Sequence, residues 1–260
     1  MESLKIKNRK NQNIAVIVEK SDHQKGLVFI MHGLGGFKEQ DHIKTFADAF
    51  REKGFTVIRF DTTNSIGESD GKYEDATLTS YYSDLEDVID WAKKQEWYQH
   101  PFTLLGSSLG GISVVLYAEK HPQDILALVP SSPVVSGKLS VETEKKYHAE
   151  SFADWEKSGW RETKSVSKPG VIKRLPFSAM QDWLQYDTIP NAKNLTMPVL
   201  IIVGEDDTST PPESVQILYD ALPGPKKMEV IKNAPHTFRD PKQLKKVHDV
   251  LAEWIDSLYL

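Results

Sequence analysis

The chain has 260 residues, 39% hydrophobic and 27% charged, a balance that suits one folded domain with room for an insertion and excludes a disordered or fibrous chain. A formal net charge of −5 lacks the basic face that phosphate binding needs, so no nucleic-acid partner is expected. With no cysteine, disulfides, a thiol nucleophile and thiolate metal sites are excluded.

Met1–Lys7 contains no apolar run of the signal-peptide kind, and the longest apolar runs, such as Leu27–Met31 and Val199–Val203, are five residues long. Runs of that length suit buried parallel strands rather than a membrane span, so a cytoplasmic protein without membrane contact is expected.

Along the chain, short β-branched runs alternate with amphipathic stretches, the pattern of parallel βαβ units. Strands are predicted over 3–8, 13–19, 26–32, 55–61, 102–107, 125–131, 198–204 and 227–232. The first two have no helix pattern between them and read as an antiparallel hairpin at one sheet edge. Ile43, Phe46, Ala47 and Phe50 recur at helical spacing, with Gly54 as the stop. Leu78, Tyr82, Leu85, Val88, Ile89 and Ala92 mark a helix after Thr77. Leu244, Val247, Leu251, Trp254, Ile255 and Leu258 mark the last, with Asp240 as N-cap and Pro241 at its first position.

One stretch breaks this rhythm. About sixty residues after Ser131 show no clear βαβ pattern, too many for a structureless loop in a compact domain. They are read as an insertion over 136–190, between core segments 1–135 and 191–260. It holds Trp155, Trp160 and Trp183, half of the six tryptophans.

The strongest chemical signal is Gly106-Ser107-Ser108-Leu109-Gly110, a G-x-S-x-G pentapeptide between a predicted strand and a predicted helix. A serine on that turn takes a strained backbone, so positions two before and two after must be small. Ser107 would put Leu105 and Leu109 at those positions, which leaves Ser108 as the nucleophile. The second signal, His32-Gly33-Leu34-Gly35-Gly36-Phe37, is a glycine-rich turn whose backbone N–H groups could face a substrate oxygen. His32 itself reads as structural. The third is Glu205-Asp206-Asp207, acids able to orient a general base, all three being candidates on residue type alone. The fourth is His236, which follows that loop in the order nucleophile, acid, base. His42, His121, His148, His23, His100 and His248 all read as surface positions.

These motifs, in this order, resemble the α/β-hydrolase superfamily over about residues 13–258. The resemblance implies a mostly parallel eight-stranded sheet flanked by helices, with a small cap inserted after strand six. It implies Asp207 as the acid, because the family pattern after that strand is glycine, two residues, then aspartate, as in Gly204 to Asp207. It implies oxyanion donors at the Leu34 and Leu109 N–H groups. Arg59-Phe60-Asp61 followed by Gly67-Glu68-Ser69-Asp70-Gly71 extends the match, although Thr62–Ile66 lacks the family's usual Arg and His. The small cap and the His-Thr-Phe ending look most like bacterial carboxylesterases related to feruloyl or cinnamoyl esterases.

The expected function is hydrolysis of small or aromatic acyl esters by a Ser-His-Asp acyl-enzyme route, without a cofactor or metal, in a monomer or homodimer. Gly33, Gly35, Trp160, Trp183 and Tyr186 are candidate substrate contacts, most cap aromatics being expected to form the cap's own core. A thioesterase would use the same machinery. A serine aminopeptidase would need cap carboxylates such as Glu142, Glu144, Glu150, Asp154 or Glu156, which read instead as a solvated helix face among lysines. A non-catalytic binding scaffold would be expected to lack one of the triad positions.

Overall fold

Strands covered on both faces need no polar side and appear as unbroken apolar runs. The computed structural model, which describes residues 1–258, contains β1 (Glu2–Lys7), β2 (Asn13–Glu19), β3 (Gly26–Met31), β4 (Phe55–Phe60), β5 (Phe102–Ser107), β6 (Ile125–Ser131), β7 (Trp160–Lys164), β8 (Ile172–Pro176), β9 (Val199–Gly204) and β10 (Lys226–Ile231). Eight of them form one sheet in the order β1-β2-β4-β3-β5-β6-β9-β10, and β7 and β8 form a separate hairpin. The β1–β2 and β2–β4 pairs are antiparallel and the remaining pairs of the main sheet are parallel. The eight sheet strands lie within one residue of the predicted bounds. This is the α/β-hydrolase fold, with an insertion after strand six.

Successive side chains of each central strand enter opposite cores. Leu27, Phe29 and Met31 of β3 and Val199, Ile201 and Val203 of β9 pack with α2 (Leu78–Ala92) and α3 (Leu109–Lys120). Val28, Ile30, Leu200 and Ile202 pack with α1 (Asp41–Glu52) and the C-terminal helix Pro241–Ser257. Thr77 caps α2 in a reciprocal box with Ser80, and the Asp240 carboxylate accepts the Lys242 and Gln243 N–H groups at the start of the last helix.

The insertion carries α4 (Gly137–Tyr147), α5 (Ala149–Ser158), the β7–β8 hairpin and α6 (Ser178–Trp183); α7 (Pro212–Ala221) and α8 (Pro241–Ser257) then complete the core. Its entry and exit segments are tied by backbone bonds from the Gly137 N–H to Tyr186 and from the Thr188 N–H to Val135. Trp155 is buried at its centre, edge-on to Phe177, with its indole N–H donating to the Leu175 carbonyl at 3.1 Å. The hairpin tip returns to the core, where Lys168 Nζ donates to the Ile66 carbonyl at 2.7 Å.

Of the histidines expected at the surface, His42 is buried and His121, His148 and His248 are half-buried. His42 is buried because it lies on the apolar face of α1, edge-on to Phe46 one turn away, and burial pushes its imidazole down to about 3. His248 is half-buried and bonded to Glu52 at 3.1 Å, because α8 packs its flank along α1.

Glu119, near the end of α3, is buried with one carboxylate oxygen unpartnered among the described residues. Burial, then the nearby Asp187, push its carboxyl up to about 8. The folded state thus holds this proton between the ordinary glutamate range and about pH 8, while the unfolded chain releases it, so stability falls as pH rises through that window. Glu119→Gln is expected to flatten the decline. Thermal melts from pH 5 to 9 should show the variant gaining at least about 2–4 °C relative to wild type at the alkaline end, the scale of one kcal/mol in a chain this size. Parallel melting curves would overturn it.

Candidate active site

Ser108 sits between β5 and α3 at φ +54° and ψ −113°, outside the ordinary regions for a residue with a side chain. Such a conformation costs about 1–3 kcal/mol and persists only where the surroundings impose it. Here they do: a Cβ on Gly106 would stand 2.2 Å from the Gly110 carbonyl oxygen, and one on Gly110 2.5 Å from that of His32. The Ser108 N–H donates to the Ser131 carbonyl at 2.9 Å, tying the turn to the end of β6. Its hydroxyl is thereby raised above the sheet at the start of α3, where the helix dipole favours negative charge.

The turn after β3 lies against this serine. A Cβ on Gly33 would be 2.8 Å from Ser108 Cβ. The Gly33 carbonyl accepts from the Gly36 N–H at 2.9 Å and the Tyr81 hydroxyl at 3.2 Å, and lies 2.8 Å from His32 Nδ1. Because His32 Nε2 accepts the Thr62 N–H at 3.1 Å, its proton sits on Nδ1 and donates to Gly33 as well. Burial holds this imidazole neutral by lowering its pKa. In a trans peptide the N–H points opposite to the carbonyl. Three donors on the Gly33 oxygen therefore fix the opposite direction for the Leu34 N–H, which has no acceptor among the described residues. The Leu109 N–H opens α3, where no preceding turn supplies a carbonyl. The loop that lacks the family's Arg and His is held by other means: the Thr63 N–H and hydroxyl donate to buried Asp84, and Asp61 accepts from the Lys38 N–H, the Lys38 ammonium and the Glu68 N–H.

The loops after β9 and β10 are laced together by the Asp206 N–H donating to the Ala234 carbonyl and the Asn233 N–H donating to Glu205. Of the three acids only Asp207 is buried. Its Oδ1 accepts the Ser209 and Thr210 N–H groups, both at 2.8 Å. Its Oδ2 lies 2.8 Å from His236 Nδ1 and 2.9 Å from the Thr210 hydroxyl. Burial opposes ionisation of Asp207, but the His236 contact and the two N–H groups outweigh it and hold the carboxyl below its ordinary value. An ionised acceptor there places the imidazole proton on Nδ1, leaving Nε2 facing Ser108 Oγ at 3.0 Å.

A cavity of about 280 Å³ opens on Ser108 and His236. Leu34, Leu109, Trp155 and Trp183 line it. Gly33 and Gly35 do not line it; Gly33 packs against Ser108, and Gly35 against Lys173 and Tyr73. Trp160 and Tyr186 are outside it: Trp160 is exposed beneath the Arg174 guanidinium, and the Tyr186 hydroxyl bonds Thr79. Glu144 is no solvated acid, since it forms a two-pronged pair with Arg161 on the cavity wall. Sequence reasoning missed Tyr73, Arg161, Lys173 and Thr210. None belongs to a motif; Tyr73 comes from the core segment before α2, and only folding of the insertion brings Arg161 and Lys173 to the cavity that opens on Ser108. Thr210 was signalled only by its place three residues after Asp207.

The Thr210 hydroxyl also lies 3.0 Å from the Ser132 carbonyl, bracing the acid against the end of β6. Thr210→Val is expected to slow labelling of Ser108 by a fluorophosphonate probe about 10- to 100-fold, the scale of one hydrogen bond to a charged group. An unchanged labelling rate would show that Thr210 does not brace the acid.

Residues 22–175 match the family described as serine aminopeptidase, S33. An uncharacterized 31.7 kDa protein of the traX-finO intergenic region of Escherichia coli is 30% identical over 224 residues, covering 75% of this chain and 77% of that one. The mitochondrial palmitoyl-protein thioesterase ABHD10 of Bos taurus is 25% identical over 246 residues, covering 90% and 74%. The fold is shared with Est1E of Butyrivibrio proteoclasticus, solved with ferulic acid bound, at a TM-score of 0.79 and 23% identity, covering 98% and 99% of the two chains. The chain belongs to the serine aminopeptidase, S33 family of serine hydrolases, on the α/β-hydrolase fold.

Proposed function

We propose that the protein is a serine carboxylesterase acting on small or aromatic acyl esters, with Ser108 as nucleophile, His236 as general base and Asp207 as its orienting acid. The observation that carries this reading is the continuous line from Asp207 through His236 to Ser108, at 2.8 and 3.0 Å, opening on a small cavity. His236 Nε2 takes the hydroxyl proton as Ser108 Oγ attacks the ester carbonyl. The Leu34 and Leu109 N–H groups receive the oxyanion. The imidazolium, paired with Asp207, then protonates the leaving alcohol. Water activated by the same ring releases the acid and restores the serine.

The cavity lies at the low end of ligand-site volumes, which favours short acyl groups, and Trp155 and Trp183 offer aromatic surface. A thioester is the second reading, favoured by the bovine relative's description as a palmitoyl-protein thioesterase. An aminopeptidase reading is disfavoured because Glu144, the one carboxylate lining the cavity among the described residues, is already neutralised by Arg161.

Ser108→Ala and His236→Ala are each expected to lower kcat/KM on p-nitrophenyl butyrate by about ten-thousand-fold or more, and Ser108→Ala to abolish fluorophosphonate labelling. Because Asp207 is held below its ordinary value, it stays ionised well into acid, so protonation of this carboxylate adds no step to the kcat/KM profile above the ordinary carboxylate range. A folded wild type that neither labels nor hydrolyses any ester or thioester would favour a binding scaffold instead.

A further inference from the structure

The charges lining the cavity do not balance. Besides His236, three ionisable side chains with charge at neutral pH face it: Glu144, Arg161 and Lys173. Glu144 and Arg161 cancel through two bonds of 2.8 Å, with the guanidinium stacked 4.2 Å from the Trp155 ring. Lys173 is left over. Among the described residues its ammonium has one partner, the Tyr73 ring at 5.9 Å, near the limit of a cation–π contact.

The position of Lys173 is built rather than incidental. The hairpin register sets it opposite Thr163, another wall residue. Its side chain runs past Gly35, where a Cβ would lie 2.8 Å from both Lys173 Cδ and Tyr73 Cε2, and 3.3 Å from Lys173 Nζ. Gly35 adopts φ +62° and follows Leu34, so the missing side chain lets the ammonium approach the turn that carries the Leu34 N–H. Burial, then the like charge of Arg239, push the ammonium below its ordinary value. A half-buried cation without an anion is unfavourable until one arrives.

Arg161 Nε and Trp183 Nε1 also lack an acceptor among the described residues, but both atoms are buried out of reach of the cavity, so the Lys173 ammonium is the cation left to meet a ligand there. A carboxylate is acceptor-only. The surplus is one positive charge, which a monoanion matches and a phosphate dianion exceeds. The chain as a whole is acidic, so the attraction is local to this wall.

We propose that the natural substrate carries a carboxylate near its scissile carbonyl, and that Lys173 seats it. This deepens the esterase reading and rests on it. The carboxylate belongs to either the acyl or the alcohol portion, and the test separates the two. Wild type is assayed on p-nitrophenyl monoadipate against the branched ester in which two methyl groups replace the carboxylate oxygens, and on para-carboxyphenyl butyrate against phenyl butyrate. One carboxylate-bearing member is expected to be preferred in kcat/KM by about tenfold or more, mostly through KM. Lys173→Glu should invert that ratio, Lys173→Met should bring it near one, and Lys173→Arg should retain most of it.

Hydrolysis of the neutral esters with no preference for either charged member, or a ratio unmoved by Lys173→Glu, would overturn the proposal while leaving the esterase intact. Failure to hydrolyse any of the four would overturn the esterase reading instead. If the Lys173 variants do not fold, inhibition of wild type decides. Adipamate, whose one carboxylate can reach Lys173 while its amide takes the place of the ester, is expected to compete with p-nitrophenyl butyrate at least about tenfold better than uncharged adipamide, and equal inhibition would overturn the proposal.

Discussion

The positive φ of Ser108 is possible because the backbones around it approach more closely than side chains would allow. Gly106 meets the carbonyl of Gly110, Gly110 meets that of His32, and Gly33 meets Ser108 Cβ. Three missing side chains bring the end of β3, the end of β5 and the start of α3 into direct contact. Everything proposed for the chemistry depends on that contact. It lifts the serine hydroxyl above the sheet, and it sets the Leu34 and Leu109 N–H groups beside it. The Gly33 carbonyl, held by His32, Tyr81 and Gly36, converts a glycine-rich turn into an oriented donor.

Asp207 and His236 are brought together by a different device. Parallel strands end on one edge of the sheet, so the loops after β9 and β10 lie side by side, and backbone bonds between them set Asp207 opposite His236. Thr210 then links this pair to Ser132 beyond β6, the strand whose end also holds the Ser108 N–H. The two halves of the site therefore share a support. Movement at the end of β6 would disturb the serine and the acid together.

The insertion supplies what the core lacks, a wall with chemical character. Trp155 and Trp183 are at once part of its apolar cluster and part of the cavity lining, so core and pocket are not alternative roles for these residues. The same hairpin that encloses Trp155 carries Arg161 and Lys173 inward. The character of this wall is thus tied to the packing of the insertion, and a change to its apolar core would also move the charges that line the cavity.

The eight strands of the main sheet were legible in the sequence to within a residue, the central ones because a two-faced buried strand is an apolar run whatever surrounds it, whereas the polar, exposed β7–β8 hairpin carried no such signal. The strained turn at Ser108 was legible because its steric demand for glycine is local. Asp207 was not separable from its neighbours by residue type, and only the fold, which buries Asp207 and exposes Glu205 and Asp206, distinguishes them. The burial of His42, the pairing of Glu144 with Arg161, and the convergence of Tyr73, Gly35 and Lys173 were equally invisible, as was the exclusion of Trp160 and Tyr186 from the cavity. Sequence alone determined the features set by backbone geometry over a few residues. The tertiary structure decided which charges are neutralised and which side chains face the cavity, because those depend on long-range burial and on partners that no local pattern records.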